Sequence, residues 1–152
     1  MITIISEKNI EKTKDKIRKS EHPIIVIGKD DKYNRKILEY GQFDILASPE
    51  IGELRKDNPK QLDSGINSIM ARIASKNKVS IGIDLKSIKN LSKEEKALRI
   101  ARIKQNIQTC KRTKTRIEVL NQKTKNEGMS FMLSLGATTK QAKEASDKSI
   151  SF

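Results

Sequence analysis

Short β-branched runs alternate with stretches of helical period along this chain. The runs Ile2–Ile5, Pro23–Ile27, Phe43–Ala47, Val79–Leu85 and Arg116–Leu120 predict strands. The stretches Glu7–Ser20, Lys32–Tyr40, Ser64–Ser75, Ser92–Thr113, Glu127–Leu135 and Thr139–Ser146 predict helices. Strand and helix in turn read as βα units around a central, mostly parallel sheet of about five strands, an α/β fold. The run Ile24-Ile25-Val26-Ile27 is apolar at every position. A strand covered on both faces has no polar side to alternate with.

Local punctuation supports these boundaries. Ser92 with Glu95, and Thr138 with Gln141, form capping boxes. Pro49 after Ser48 suits the first turn of a short helix. Gly136 stands where the cap of the preceding helix belongs. The polar, Pro-containing stretch 54–60 predicts a loop. One domain over residues 1–146 is expected, with residues 147–152 as a frayed tail.

The helix Ser92–Thr113 is distinguished by its charge. Between Lys93 and Arg116 lie nine basic and two acidic residues. The whole chain carries +13, and residues 92–152 hold 14 basic against 6 acidic residues, so the excess is concentrated towards the C-terminal end. A polyanion is the expected partner, RNA or DNA phosphate above all. Aromatic residues are 3% of the chain and Trp is absent, so stacked bases are not the expected mode of binding. On a helical wheel Ile100, Ile103, Ile107 and Cys110 form the stripe that should face the sheet. Lys93, Lys104 and Lys111 line one flank of it, and Arg99 and Arg102 lie towards the other flank and the outer face. Lys96 projects into the apolar stripe and would have to snorkel. The phosphate contacts expected from this helix are Lys93, Arg99, Arg102, Lys104, Lys111 and Arg112.

Catalysis by the chain itself is not expected. Its one histidine, His22, cannot assemble a metal site with several His ligands and reads as an exposed loop residue. The seven glycines are scattered and form no phosphate loop. Cys110 has no plausible His partner and reads as a small core residue. Asp44 and Asp84 fall in or near strands, where barrel enzymes place catalytic groups, and could equally cap loops or neighbouring helices. The apolar run at Met1–Ile5 is too short for a signal peptide or a membrane span, and the single cysteine fits a reducing, cytoplasmic setting.

Five weak motifs in order resemble the archaeal ribonuclease P protein component 3 family, related to the thirty-kilodalton subunit of eukaryotic ribonuclease P. They are Phe43-Asp44-Ile45-Leu46 with Ser48-Pro49; Gly65-Ile66-Asn67 with Ala71 and Ala74; Val79, Ile81, Ile83, Asp84 and Leu85; Asn106, Ile107 and Cys110; and Leu135, Gly136, Ala142 and Lys143. Gly82 departs from the pattern where the family often has an acidic residue, as do Asn121, Gln122 and Lys123 after the last strand.

The resemblance implies a barrel-like protein of the PHP-related kind. A full barrel takes about 200 or more residues, so the chain is expected to form a partial or open TIM-barrel-like sheet with an edge that needs cover. It implies a subunit of an endoribonuclease whose RNA does the chemistry, freeing the 5′ end of precursor tRNA. The implied partners are ribonuclease P RNA, precursor tRNA, ribonuclease P protein component 2 and other ribonuclease P subunits, with no membrane. Magnesium would be used by the RNA, with no cofactor bound by the protein. Two other readings remain at this stage: a metal-free remnant of a barrel phosphoesterase, and a generic basic RNA-binding protein.

Overall fold

A computed structural model describes residues 1–52 and 55–152. Its elements run β1 (Thr3–Ile5), α1 (Ile10–Arg18), β2 (Ile24–Ile27), α2 (Asp31–Tyr40), β3 (Ile45–Ala47), α3 (Ser68–Lys76), β4 (Ser80–Asp84), α4 (Leu85–Lys89), α5 (Lys93–Thr113), β5 (Ile117–Leu120), α6 (Lys125–Ser134) and α7 (Thr139–Ser146). All strand pairs are parallel, and the spatial order is the chain order, β1-β2-β3-β4-β5.

The sheet has two unlike faces. On one, Ile24, Val26, Leu46, Ile81, Ile83, Ile117 and Val119 meet apolar side chains from every helix, among them Ile17, Ile37, Met70, Ile88, Ile107, Met132 and Ala145. On the other, Ile25, Ile45, Ala47 and Leu120 form a separate small cluster with no helix over it among the described residues. Right-handed crossovers that never reverse direction put all helices on one side. Sequential parallel strands with helices on one face make an arc of a barrel, and β1 and β5 do not pair, so the arc is open.

Gly82 sits on the inner face, between Ala47 and Glu118 in register. A Cβ there would stand 2.7 Å from Ile45 Cγ2 and 2.9 Å from Leu120 Cδ1. The acidic residue common in the family at this point has no room here. Gly65, at φ +86°, lets the backbone pass against the Pro49 carbonyl, which a Cβ would strike.

Four sequence expectations need correction. The predicted strand Val79–Leu85 ends at Asp84, whose side chain accepts the Lys86 N–H at 3.0 Å and caps α4, a helix hidden in the apolar run. Pro49 opens a turn rather than a helix, because Ser48 takes φ 52° and the Ile51 N–H closes back on its carbonyl. The helix expected from Ser64 begins at Ser68, capped by the Asn67 side chain on the Met70 N–H.

The tail is the fourth. It is docked rather than frayed: Asn121 N–H donates to the Ile150 carbonyl at 2.8 Å, and Leu120 and Ile150 form a parallel bridge. The Phe152 N–H donates to Asn121 Oδ1, and Ile150 and Phe152 pack on the inner-face cluster. The edge at β5 is thereby covered by Ile150 of the same chain. Leu54, the first residue of the expected 54–60 loop, lies outside the described residues.

Candidate nucleic-acid interface

The cations of α5 divide into two sets. Ser92 caps the helix through its Oγ on the Glu95 N–H, and Lys114 ends it in the left-handed region at φ 57°. Between them the buried stripe is Arg99, Arg102, Ile103, Asn106, Ile107, Thr109 and Cys110. Ile100, expected on this stripe, is only half-buried, as is Lys96. Cys110 is buried in apolar surroundings that push its thiol up to about 12, so it is chemically quiet.

Arg99 and Arg102 therefore face inward, correcting the outward placement expected for both. Arg99 Nη2 lies 3.0 Å from Glu50 Oε1, with both side chains buried. Its Nη1 donates to the Ser87 carbonyl at 3.2 Å. Arg102 forks onto Asp57, Nη2 to Oδ2 at 2.7 Å and Nε to Oδ1 at 3.2 Å, and also reaches the Glu50 carbonyl. Arg55 extends the network to Asp63 at 2.9 Å, to Asp31, and to the Lys29 and Pro49 carbonyls. These guanidiniums tie α5, α4 and the loops after β2 and β3 into one end of the arc. Burial pushes the Glu50 carboxyl up, with Arg99 opposing. The Arg102 hydrogen bond holds Asp57 below its ordinary value.

Lys93, Lys104, Lys111 and Arg112 are exposed, and none has a salt-bridge partner among the described residues. At 100° per residue the three lysines fall within about 20° of one meridian, along about 27 Å of helix. Gln141 of α7 donates to the Ile107 carbonyl at 3.1 Å, and its neighbours Lys140 and Lys143 are exposed. On the other side, a groove of about 520 Å³ between the 60–69 segment and α5 is lined by Lys60, Gln61, Ile69, Gln108 and Arg112 among others. Lys60 escapes a sequence reading because no periodicity links it to α5, and only packing brings it beside Arg112.

The two strand aspartates are occupied structurally. Asp44 Oδ2 accepts the Ile24 N–H at 2.6 Å and lies 2.7 Å from Nδ1 of exposed His22. Asp84 caps α4 and accepts the Asn121 amide at 2.7 Å. Among the described residues no three His, Cys, Asp or Glu side chains gather as a metal-binding group, and no helix is long and apolar enough to cross a membrane.

No family model matches the chain. It is 27% identical over 114 residues to ribonuclease P protein component 3 of Methanococcus vannielii, covering 75% of this chain and 46% of that protein. To the component 3 of Methanocaldococcus jannaschii it is 33% identical over 107 residues, 70% of this chain and 43% of that protein. To that of Methanococcus maripaludis it is 36% identical over 83 residues, 53% of this chain and 32% of that protein. A chain in the cryo-EM structure of an archaeal ribonuclease P with mature tRNA superposes with a TM-score of 0.80 at 24% identity, over 96% of this chain and 64% of that one. The resemblance read from the five motifs is thus matched by measured similarity, and the fold by a solved neighbour. The chain spans less than half the length of the curated relatives it matches.

Proposed function

We propose that this chain is a protein subunit of ribonuclease P, supporting a catalytic RNA in removing the 5′ leader from precursor tRNA. The similarity to component 3 proteins supports the assignment, and the neighbour seen with ribonuclease P and tRNA supports the fold it requires. In this reading the chain is part of an endoribonuclease, the RNA carries the chemistry with magnesium, and the assembly works in the cytoplasm beside component 2 and other ribonuclease P subunits.

The observation that carries the RNA contact is the contrast within α5. Arg99 is neutralised by buried Glu50 and Arg102 by half-buried Asp57, whereas Lys93, Lys104 and Lys111 present unneutralised charge in a row and Arg112 presents it beside the groove on the other flank. A row of cations on a rigid helix positions a phosphate backbone without reading its sequence. The contact set is therefore these four residues, with Arg99 and Arg102 holding the helix that displays them.

The test is a titration of ribonuclease P RNA at several salt concentrations. Lys104→Ala with Lys111→Ala should weaken binding and flatten the log–log salt slope by up to roughly two units. If this face instead meets a partner protein, the double variant will lose that protein and keep its RNA affinity and slope. That outcome would overturn the assignment of these lysines.

A further inference from the structure

The groove between the 60–69 segment and α5 is cationic. Its volume of about 520 Å³ is that of a site for a small ligand, and none of the residues lining it is acidic. Lys60 comes from one wall and Arg112 from the other, both exposed and without a salt-bridge partner among the described residues. The start of α3 lines the same space through Ser68 and Ile69. The Asn67 side chain caps the Met70 N–H, which leaves the Ser68 and Ile69 N–H groups without an acceptor among the described residues. No acidic residue stands in that first turn. Free N–H groups at a helix start attract anions.

The neutral polar groups of the groove are free as well. Thr109 lines it and is only 5% exposed. Its carbonyl accepts the Thr113 hydroxyl at 2.9 Å, but its own hydroxyl makes no hydrogen bond among the described residues. The exposed side-chain amides of Gln61 and Gln108 are likewise without partners there. Each can donate and accept. Ile69, 55% exposed, adds an apolar surface among them. Gln105 differs, because its amide is engaged by Leu62 and Ser64 and so holds the two walls together. At 100° per residue Gln108 lies about 60° and Arg112 about 100° round α5 from the meridian of Lys93 and Lys111. The groove therefore opens directly beside the lysine row.

We propose that this groove takes one unpaired nucleotide of the RNA whose backbone follows the lysine row. The proposal rests on the reading that RNA meets α5. The phosphate sits among Arg112, Lys60 and the α3 N-terminus. The base lies against Ile69 with its edge on the Gln61 and Gln108 amides, and the Thr109 hydroxyl is offered to the ribose. An inorganic anion would use the cations alone and leave the amides, the hydroxyl and Ile69 without a role. An acidic peptide would engage the same cations, but the groove continues a row already suited to a phosphate backbone. Proteins read RNA sequence mostly on unpaired bases, whose edges are free. A paired base has its edge occupied and cannot enter. The lysine row thus grips phosphate in any RNA, and the groove directs the chain to a loop, bulge or single strand.

The test is an NMR titration of the full chain with a single-stranded RNA hexamer and, separately, with a blunt RNA duplex of the same length. The backbone amides of Ser68 and Ile69 and the side-chain amides of Gln61 and Gln108 should shift with the single strand and not with the duplex. Gln61→Ala with Gln108→Ala should weaken the single strand about tenfold. Its salt slope should hold, since no charge is lost, whereas Arg112→Gln should flatten that slope by about one unit. Thr109→Val keeps the side chain's shape and should weaken the single strand severalfold. Should a variant fail to fold, the shifts in the unmodified chain decide. Equal shifts with both RNAs, or a single strand that binds without moving these signals, overturn the proposal and leave the lysine row standing. Inorganic phosphate reproducing every shift, or a partner protein producing them where neither RNA does, also overturns it. A chain that binds neither RNA overturns the RNA reading of α5 along with it.

Discussion

Arg99 and Lys104 stand little more than a turn apart on one helix and differ in what removing them would do. Arg99 is the counter-charge to Glu50, which is 1% exposed and surrounded by protein. Arg99→Ala should cost about 3–5 kcal/mol in chemical denaturation, because it strands a buried carboxylate. Lys104→Ala should cost about 0.5 kcal/mol or less, since it has no partner to abandon. Glu118 offers a pH readout. Burial raises its carboxyl above the ordinary 4.5, with Arg116 opposing. The folded protein then holds a proton the unfolded chain has released, so stability falls as pH climbs from 4.5 through the raised value. Glu118→Gln should remove that part of the decline, seen as a smaller loss of melting temperature between acid and neutral pH. The Arg99 pairing was not legible beforehand: a helical wheel gives an angle, while Glu50 sits 49 residues away in a turn after β3, with nothing local to announce it.

The elements themselves were largely legible, because most of the strands lie in short apolar runs rich in β-branched residues and two helices announce their starts with capping boxes at Ser92 and Thr138. What periodicity missed were the places where tertiary packing or a cap overrides it. Asp84 breaks an apolar run in two and starts α4, and Ser48 turns the chain where Pro49 suggested a helix. On α5 the isoleucines and cations are separable by mutation. Ile103→Ala or Ile107→Ala should cost roughly 2–5 kcal/mol, both side chains being at most 1% exposed. RNA affinity per folded molecule should hold, with urea denaturation and binding measured on the same samples. Ser92→Ala should cost about 0.5–2 kcal/mol through loss of the cap on the Glu95 N–H.

Over the whole molecule, the arc was expected from the resemblance and from the chain's length, but its cover was not. The tail Asp147–Phe152 opens with three polar residues and has only Ile150 and Phe152 as apolar ones, so only the structure shows these two seated on the inner face. Removing residues 149–152 should lower the urea midpoint by exposing Ile25, Ile45 and Leu120, about 1.5–3 kcal/mol for each side chain fully uncovered. The RNA contact proposed for α5, on the opposite face, should be spared.

The order of the strands has a consequence for synthesis. Each strand pairs with its neighbours in chain order, so every new strand docks on the one made just before it and the sheet can assemble in the direction of translation, one βα unit at a time. The residues that seal its last edge are made after every strand and helix of the sheet. Until Ile150 and Phe152 emerge, a nascent chain with a finished sheet still has a bare flank, and pausing before they are made would prolong its exposure to aggregation.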